Sequence, residues 1–315
     1  MTDPSDSQPA PSAASDAASP ARLEKSWWNL LKQTAISWSK DGCSRMGASL
    51  AYYTVLSAAP LLVFAVMIVG AIYGQAAAEG QIEEELKGVM GPEAAGGVQA
   101  MVAALARAEE STTATILSLG ALLFGASAVF NELRYSLNTI WKVRPKPSAH
   151  WLYTVRVRLL AFVLVLFVGM LFMGLLILNS ALAIAWQWIA VDVPLSGSLF
   201  GWLNYGITTL VETLLFAIVF KLLPDGHIAW RDVWLGALVT SLLFGAGSSL
   251  IGLYFGHSTT ASAYAAAGSL AIFLLWAYYS AQIVYLGAEF TQVYARMYGS
   301  YIEPASYAER VERTT

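Results

Sequence analysis

The chain has 315 residues, 57% of them hydrophobic and only 12% charged, with a formal net charge of -3; its mean hydropathy is +0.56. A soluble domain carries roughly 25% charged residues, so the composition excludes an ordinary soluble globular protein and points to a polytopic membrane protein. The single cysteine, Cys43, excludes intrachain disulfides and multi-cysteine metal sites, and His150, His227 and His257 lie too far apart for metal-ligand spacing.

Residues 1–22 are rich in Ser, Ala, Pro and Asp, lack the apolar core of a signal peptide, and predict a disordered tail. From Leu23 to Lys40, Trp27, Leu31 and Trp38 share a helical face, which fits a helix lying in the headgroup zone or one packed on the protein's own loops. The uncharged stretch from Gly47 to Gly74, GASLAYYTVLSAAPLLVFAVMIVGAIYG, is long enough at ~1.5 Å per residue to cross a bilayer. In it Ser49, Tyr52, Tyr53, Ser57 and Pro60 form a hydroxyl-rich face expected to look inward, as glue between helices or as the lining of a cavity.

Residues 75–110 are acidic, with Glu79, Glu83, Glu84, Glu85, Glu93, Glu109 and Glu110 against Lys87 and Arg107. Apolar periodicity broken at Gly91-Pro92 predicts two amphipathic helices forming an external cap. Its carboxylates either attract cations to an entrance or form a solvated face. Further spans are expected at 113–131, 159–184, 203–223, 233–256 and 264–290, which with 48–74 makes six, followed by a tail at 299–315. The fifth holds Gly236, Thr240, Gly245, Ser249, Gly252 and Gly256, small residues that permit close helix packing. Gly252 and Gly256 serve either that packing or self-association into a homo-oligomer.

The basic residues orient these spans. Placing the amino terminus, the second-to-third loop, the fourth-to-fifth loop and the carboxyl terminus on one side collects 16 of the 18 Lys and Arg there. By the positive-inside rule both termini are expected in the cytoplasm.

GASLAYYTVLSAAPLL, ELRYSLNTIWKV, KLLPDGHIAWRDVWLGALVTSLLF and GSLAIFLLWAYYSAQIVYLGAEF occur in that order, and together they resemble the YihY/BrkB family of bacterial inner-membrane proteins from about Trp27 to Arg296. The resemblance implies a six-helix protein of the bacterial inner membrane. It also brings the label ribonuclease BN, generally regarded as a misassignment, and a branch linked to virulence and serum resistance. The residues themselves argue against a nuclease, because no carboxylates or histidines cluster to hold metal ions or to act as a facing acid and base. No phosphate-binding glycine loop and no nucleophile elbow occur either, so the reading is of a non-enzyme without cofactor or nucleic-acid partner.

The ionisable residues inside the expected spans are what remain. Glu212 falls midway along the fourth, where a charge costs about 2.5 to 3.5 kcal/mol. Either it carries a proton or binds a cationic group during transport, or it hydrogen-bonds a neighbouring helix. Glu289 is expected near the cytoplasmic interface, paired with Arg134, Arg156 or Arg158; Glu132 has the same two readings as Glu212, and Asp225-Gly226 reads as a turn. The expectation is an all-α, six-span protein whose first, fourth and sixth spans surround a cavity. Its candidate binding or coupling residues are Glu212, Tyr52, Tyr53, Ser57, Glu289, Glu132 and Arg134. It would be a secondary transporter or exporter of an unknown small solute or lipid-like molecule, or a non-transporting scaffold of the envelope.

Overall fold

The fold is that of a computed structural model, whose described residues are 26–73, 112–146, 197–257, 265–299 and 301–311, with isolated positions between 86 and 99. The expected tail at 1–22, the third span at 159–184 and most of the cap at 75–110 lie outside the described residues. In chain order the elements are α1 (Trp27–Lys40), α2 (Cys43–Tyr73), α3 (Thr112–Trp141), β1 (Val143–Pro145), α4 (Gly197–Leu222), β2 (Gly226–His227), α5 (Trp230–His257), α6 (Ala265–Met297), β3 (Glu303–Pro304) and β4 (Ala308–Arg310).

Breaks between the helices follow from local chemistry. Gly42, at φ +70°, takes the left-handed conformation that only glycine adopts without strain, so α1 turns at once into α2. Pro224 follows the end of α4, where the α conformation is disfavoured for the residue before it.

Long α6 is the hub, packing on α1, α2, α3 and α5, while α3 lies on α2 and α4 on α5. Among the described residues three stretches are long and apolar enough to cross a membrane, Gly201–Leu222, Trp230–Leu250 and Leu270–Met297, yet only 22%, 33% and 39% of their apolar windows are buried. Leu210, Leu238, Leu242, Leu250 and Leu274 face outward. Apolar helices with apolar outer surfaces are solvated by hydrocarbon rather than water.

The two inner helices of the hub meet tightly. A Cβ on Gly236 of α5 would strike Thr291 of α6, and one on Gly287 of α6 would strike Thr240 of α5. Each threonine hydroxyl donates to the carbonyl of the glycine one turn back on its own helix, both at 2.7 Å, so neither needs a partner across the interface.

One end of the bundle is closed by the main core cluster. Leu137, Ile140 and Trp141 of α3, Phe216 and Phe220 of α4, Val233 of α5 and Tyr285 of α6 are buried there with Cys43 and Met46 of α2. At this end the chain is not all-α, as expected, but only mostly helical. β1 pairs antiparallel with β4 (Val143 opposite Arg310, Pro145 opposite Ala308), and β2 with β3 (Gly226 opposite Pro304, His227 opposite Glu303). Ladders of two or three residues are too short to show an alternating pattern, which is why periodicity misses them. They stitch 301–311 to the α3–β1 and α4–α5 connections. The Lys142 ammonium bonds the Asp41 carboxylate at the end of α1, so the segments grouped by their basic residues meet at one end of the molecule.

Helix α1 packs Leu30 and Thr34 toward Phe290 and Val293 of α6 and leaves Trp27, Trp28 and Leu31 exposed. The expected single face of Trp27, Leu31 and Trp38 is therefore split, with Trp38 against the core. At ~100° per residue Trp38 still falls between Trp27 and Leu31, so the split is one of position along the helix axis, the carboxyl-terminal turn meeting the core, rather than of helix face.

Candidate functional site

The residues singled out in the sequence do not converge on one cavity. Ser241 Oγ of α5 lies 3.0 Å from Glu212 Oε2 and 3.0 Å from the Thr209 carbonyl, so the half-buried Glu212 belongs to the α4–α5 contact rather than to the hydroxyl face of α2. On that face Ser57 is buried and donates to the Thr54 carbonyl at 3.1 Å, and it sits where Gly125 brings α3 close. Tyr52 is 57% exposed, which corrects its expected inward orientation. Ser49, Tyr53 and Ser57 are four residues apart and share a stripe, whereas Tyr52 is turned ~100° from Tyr53. Their rings meet edge-on at 5.5 Å. Glu132 of α3 faces the Ser49 hydroxyl of α2.

Arg134 is likewise not paired with Glu289. It binds Asp225 Oδ1 at 2.5 Å, while Asn138 Nδ2 donates to Asp225 Oδ2 at 2.7 Å and the Asp225 amide donates to Asn138 Oδ1 at 2.8 Å. Arg134 and Asn138 are one turn apart on α3 and face the α4–α5 connection together. Asp225 therefore does more than turn the chain, since it clamps that connection to α3.

What the structure brings together instead is a file of polar side chains on α6, half-buried at Gln282 and buried from Tyr285 on. Gln282, Tyr285, Glu289 and Gln292 are spaced by three, four and three residues, which places them on one face. Asp41 and Cys43, before and at the start of α2, and Ser136 and Trp141 of α3 stand opposite. Gln282 Nε2 reaches the Cys43 and Ser44 carbonyls, both at 3.4 Å, and Gly47 leaves it the room. The Tyr285 hydroxyl faces Ser136 Oγ without hydrogen-bond geometry. Fully buried Glu289 accepts from Cys43 Sγ at 3.6 Å and faces the Asp41 carboxyl that holds Lys142. Gln282 Oε1, Tyr285 OH, Glu289 Oε2 and Gln292 Oε1, with Ser136 Oγ and Trp141 Nε1, are buried without a protein partner among the described residues. Such atoms are costly unless water or a solute satisfies them. Reading Glu289 alone misses this file, although Gln282 and Gln292, seven residues before it and three after, are visible in the same apolar helix.

Cys43 shows how burial governs this neighbourhood. A helix amino terminus normally lowers a thiol pKa, but burial, then the Glu289 and Asp41 carboxyls, push this one well above the ordinary thiol range. Cys43 should therefore resist PEG-maleimide at pH 7 in native membranes and react once SDS unfolds the chain. Fast labelling of the native protein would show the packing around it to be wrong.

A family model described as Virulence factor BrkB matches residues 35–312, from within α1 through β4. The chain belongs to the BrkB virulence-factor family. Proteins similar to it include membrane proteins named UPF0761 from Alkalilimnicola ehrlichii (28% identity, 81% of this chain and 56% of the relative), Psychromonas ingrahamii (25%; 80% and 82%) and Chromobacterium violaceum (28%; 78% and 57%). The chain thus spans little more than half the length of two of these three relatives. No solved structure matches it. The family match takes in the whole α6 file and the strand ladders, and the relatives' names identify a membrane protein without an assigned activity.

Proposed function

We propose that this BrkB-family chain is a six-span protein of the bacterial inner membrane, with α1 and both termini on the cytoplasmic side. In this reading it moves a small solute or lipid-like molecule as a secondary transporter or exporter, without enzymatic chemistry. The observation that carries the proposal is the α6 file. Four polar side chains with orphaned atoms, inside an apolar helix and leading to the basic end of the bundle, suit a water-accessible half-channel better than a dry scaffold core. Two carboxyls, Asp41 and Glu289, share one ammonium, Lys142, so a single proton balances the group and its movement supplies a coupling charge. Glu212 is a second coupling candidate: the Ser241 hydroxyl has one proton for two acceptors, and a proton on Glu212 would complete the set.

The test is cysteine accessibility on α6. In a Cys43→Ser background, single cysteines at Gln282, Glu289 and Gln292 should react with a membrane-impermeant methanethiosulfonate applied to the cytoplasmic face. A cysteine at Ala288, which is buried on a different face, should not. Labelling absent from every position would leave the file dry and favour a non-transporting scaffold of the envelope.

A further inference from the structure

The outer end of the α6 file opens into a cavity of about 220 Å³, whose wall includes Trp141, Lys142, Gln292, Arg296, Tyr301 and Arg310. Three of these side chains are cationic. Lys142 is held by Asp41, and Arg310 donates to the Ile302 carbonyl at 2.7 Å. Arg296 has no carboxylate partner among the described residues, and Glu309, next to Arg310 in the chain, is occupied by Arg144 at 2.7 Å. The wall therefore carries more positive charge than its own carboxylates offset.

Two independent observations point to an acceptor ligand there. The Trp141 indole N–H can only donate, yet Trp141 is 2% exposed and its nitrogen has no partner among the described residues. Lys142 and Tyr301, at φ +57° and +56°, are the two non-glycine residues with left-handed backbone among the described residues, and both line this cavity. Strained backbone gathers where the surroundings fix side chains for a ligand.

We infer that this cavity binds a phosphate-bearing anion, held by Arg296, Arg310 and Lys142 with the Trp141 indole as a neutral donor. A volume several times the ~30 Å³ share of one water admits a phosphoryl group with part of its hydration. Guanidinium forks with fixed N–H donors are the chemistry that recognises phosphate oxygens. The inference stands apart from the transport proposal, because an anion at this end would serve a scaffold or a regulated channel equally. The phosphate comes either from an anionic lipid headgroup or from solution.

The experiment uses the purified full chain in non-ionic detergent, in two arms. One titrates inorganic phosphate at constant ionic strength and follows thermal unfolding. The other uses native mass spectrometry to compare retention of phosphatidylglycerol and phosphatidylcholine. Saturable stabilisation in the first arm identifies a soluble source, and selective retention of phosphatidylglycerol identifies a lipid source. Arg296→Gln should weaken whichever binding is seen at least roughly tenfold. Trp141→Phe keeps the ring beside Phe220, 6.0 Å away; it should weaken binding several-fold while leaving the unliganded protein as stable as before, because the lost N–H had no protein partner. No saturable binding in either arm, equal retention of the two lipids, or binding unchanged in both variants would overturn the inference.

Discussion

Replacing Arg134 with Met should destabilise the chain by about 3 to 5 kcal/mol, the cost of leaving a buried charge without its counterion. Asp225 is only 2% exposed and Arg134 13%, so water cannot take over the vacated interaction. The damage should also spread, because Asp225 fixes the α4–α5 connection whose backbone accepts Ala305 N–H of the carboxyl-terminal segment at 2.9 Å. Arg144 and Glu309 make the contrast. They are 64% and 36% exposed, and a surface pair of that kind contributes about 1 kcal/mol at most. Removing both charges of the buried pair, Arg134→Met with Asp225→Asn, should recover part of the loss, since the neutral amide introduced there can still meet Asn138. Thermal unfolding followed by fluorescence-detected size exclusion measures this. The single variant should fall by on the order of 10 °C. A double variant no better than the single, or a single variant as mild as Arg144→Met, would show that Arg134–Asp225 is not a buried clamp.

Apolar length was legible in the sequence, because helices that must satisfy their own backbone in hydrocarbon announce themselves as uncharged runs. Grouping the basic residues brought together the segments that the structure joins through β1–β4, β2–β3 and Lys142–Asp41. Side-chain direction was less accessible. Tyr52 and Tyr53 are neighbours in the chain, yet one points out and the other is partly covered, and a face drawn too broadly merges them. Pairings across the bundle were not accessible at all: Arg134 has Glu132, Glu289 and Asp225 as eligible partners on charge alone, and only the packing of α3 against the α4–α5 connection chooses Asp225. The ladders were hidden for another reason. Their stabilisation lies in a few backbone bonds, such as Val311 N–H to the Lys142 carbonyl at 2.9 Å, which any side chain permits.

Gly236→Leu should abolish folding, and Gly236→Ala should cost about 1 to 3 kcal/mol, the range for forcing a methyl group into a filled contact. The added Cβ meets the Thr291 side chain, and Thr291 cannot swing away cheaply because its hydroxyl is bonded to the Gly287 carbonyl beside Thr240. The contact is reciprocal, so Gly287→Ala should fail by the same mechanism against Thr240. Truncating the obstacle then becomes the decisive test. Thr291→Ala in the Gly236→Ala chain removes the hydroxyl, the atom the new methyl meets most closely, together with the Thr291 methyl, leaving only the Thr291 Cβ at 2.8 Å, and it orphans no hydrogen bond, since the Gly287 carbonyl keeps its helical partner. The double variant should unfold closer to wild type than Gly236→Ala alone. Gly206 of α4 supplies the control: nothing lies within 4 Å of its Cβ position, so alanine there should be neutral or stabilising by about 0.5 to 1 kcal/mol through helix propensity. If Gly236→Ala behaves like Gly206→Ala, the α5–α6 crossing is looser than these contacts require. If instead it is destabilising and Thr291→Ala rescues it, close contact between these two helices holds α6 at the centre of the bundle, with its polar file turned toward α2 and α3.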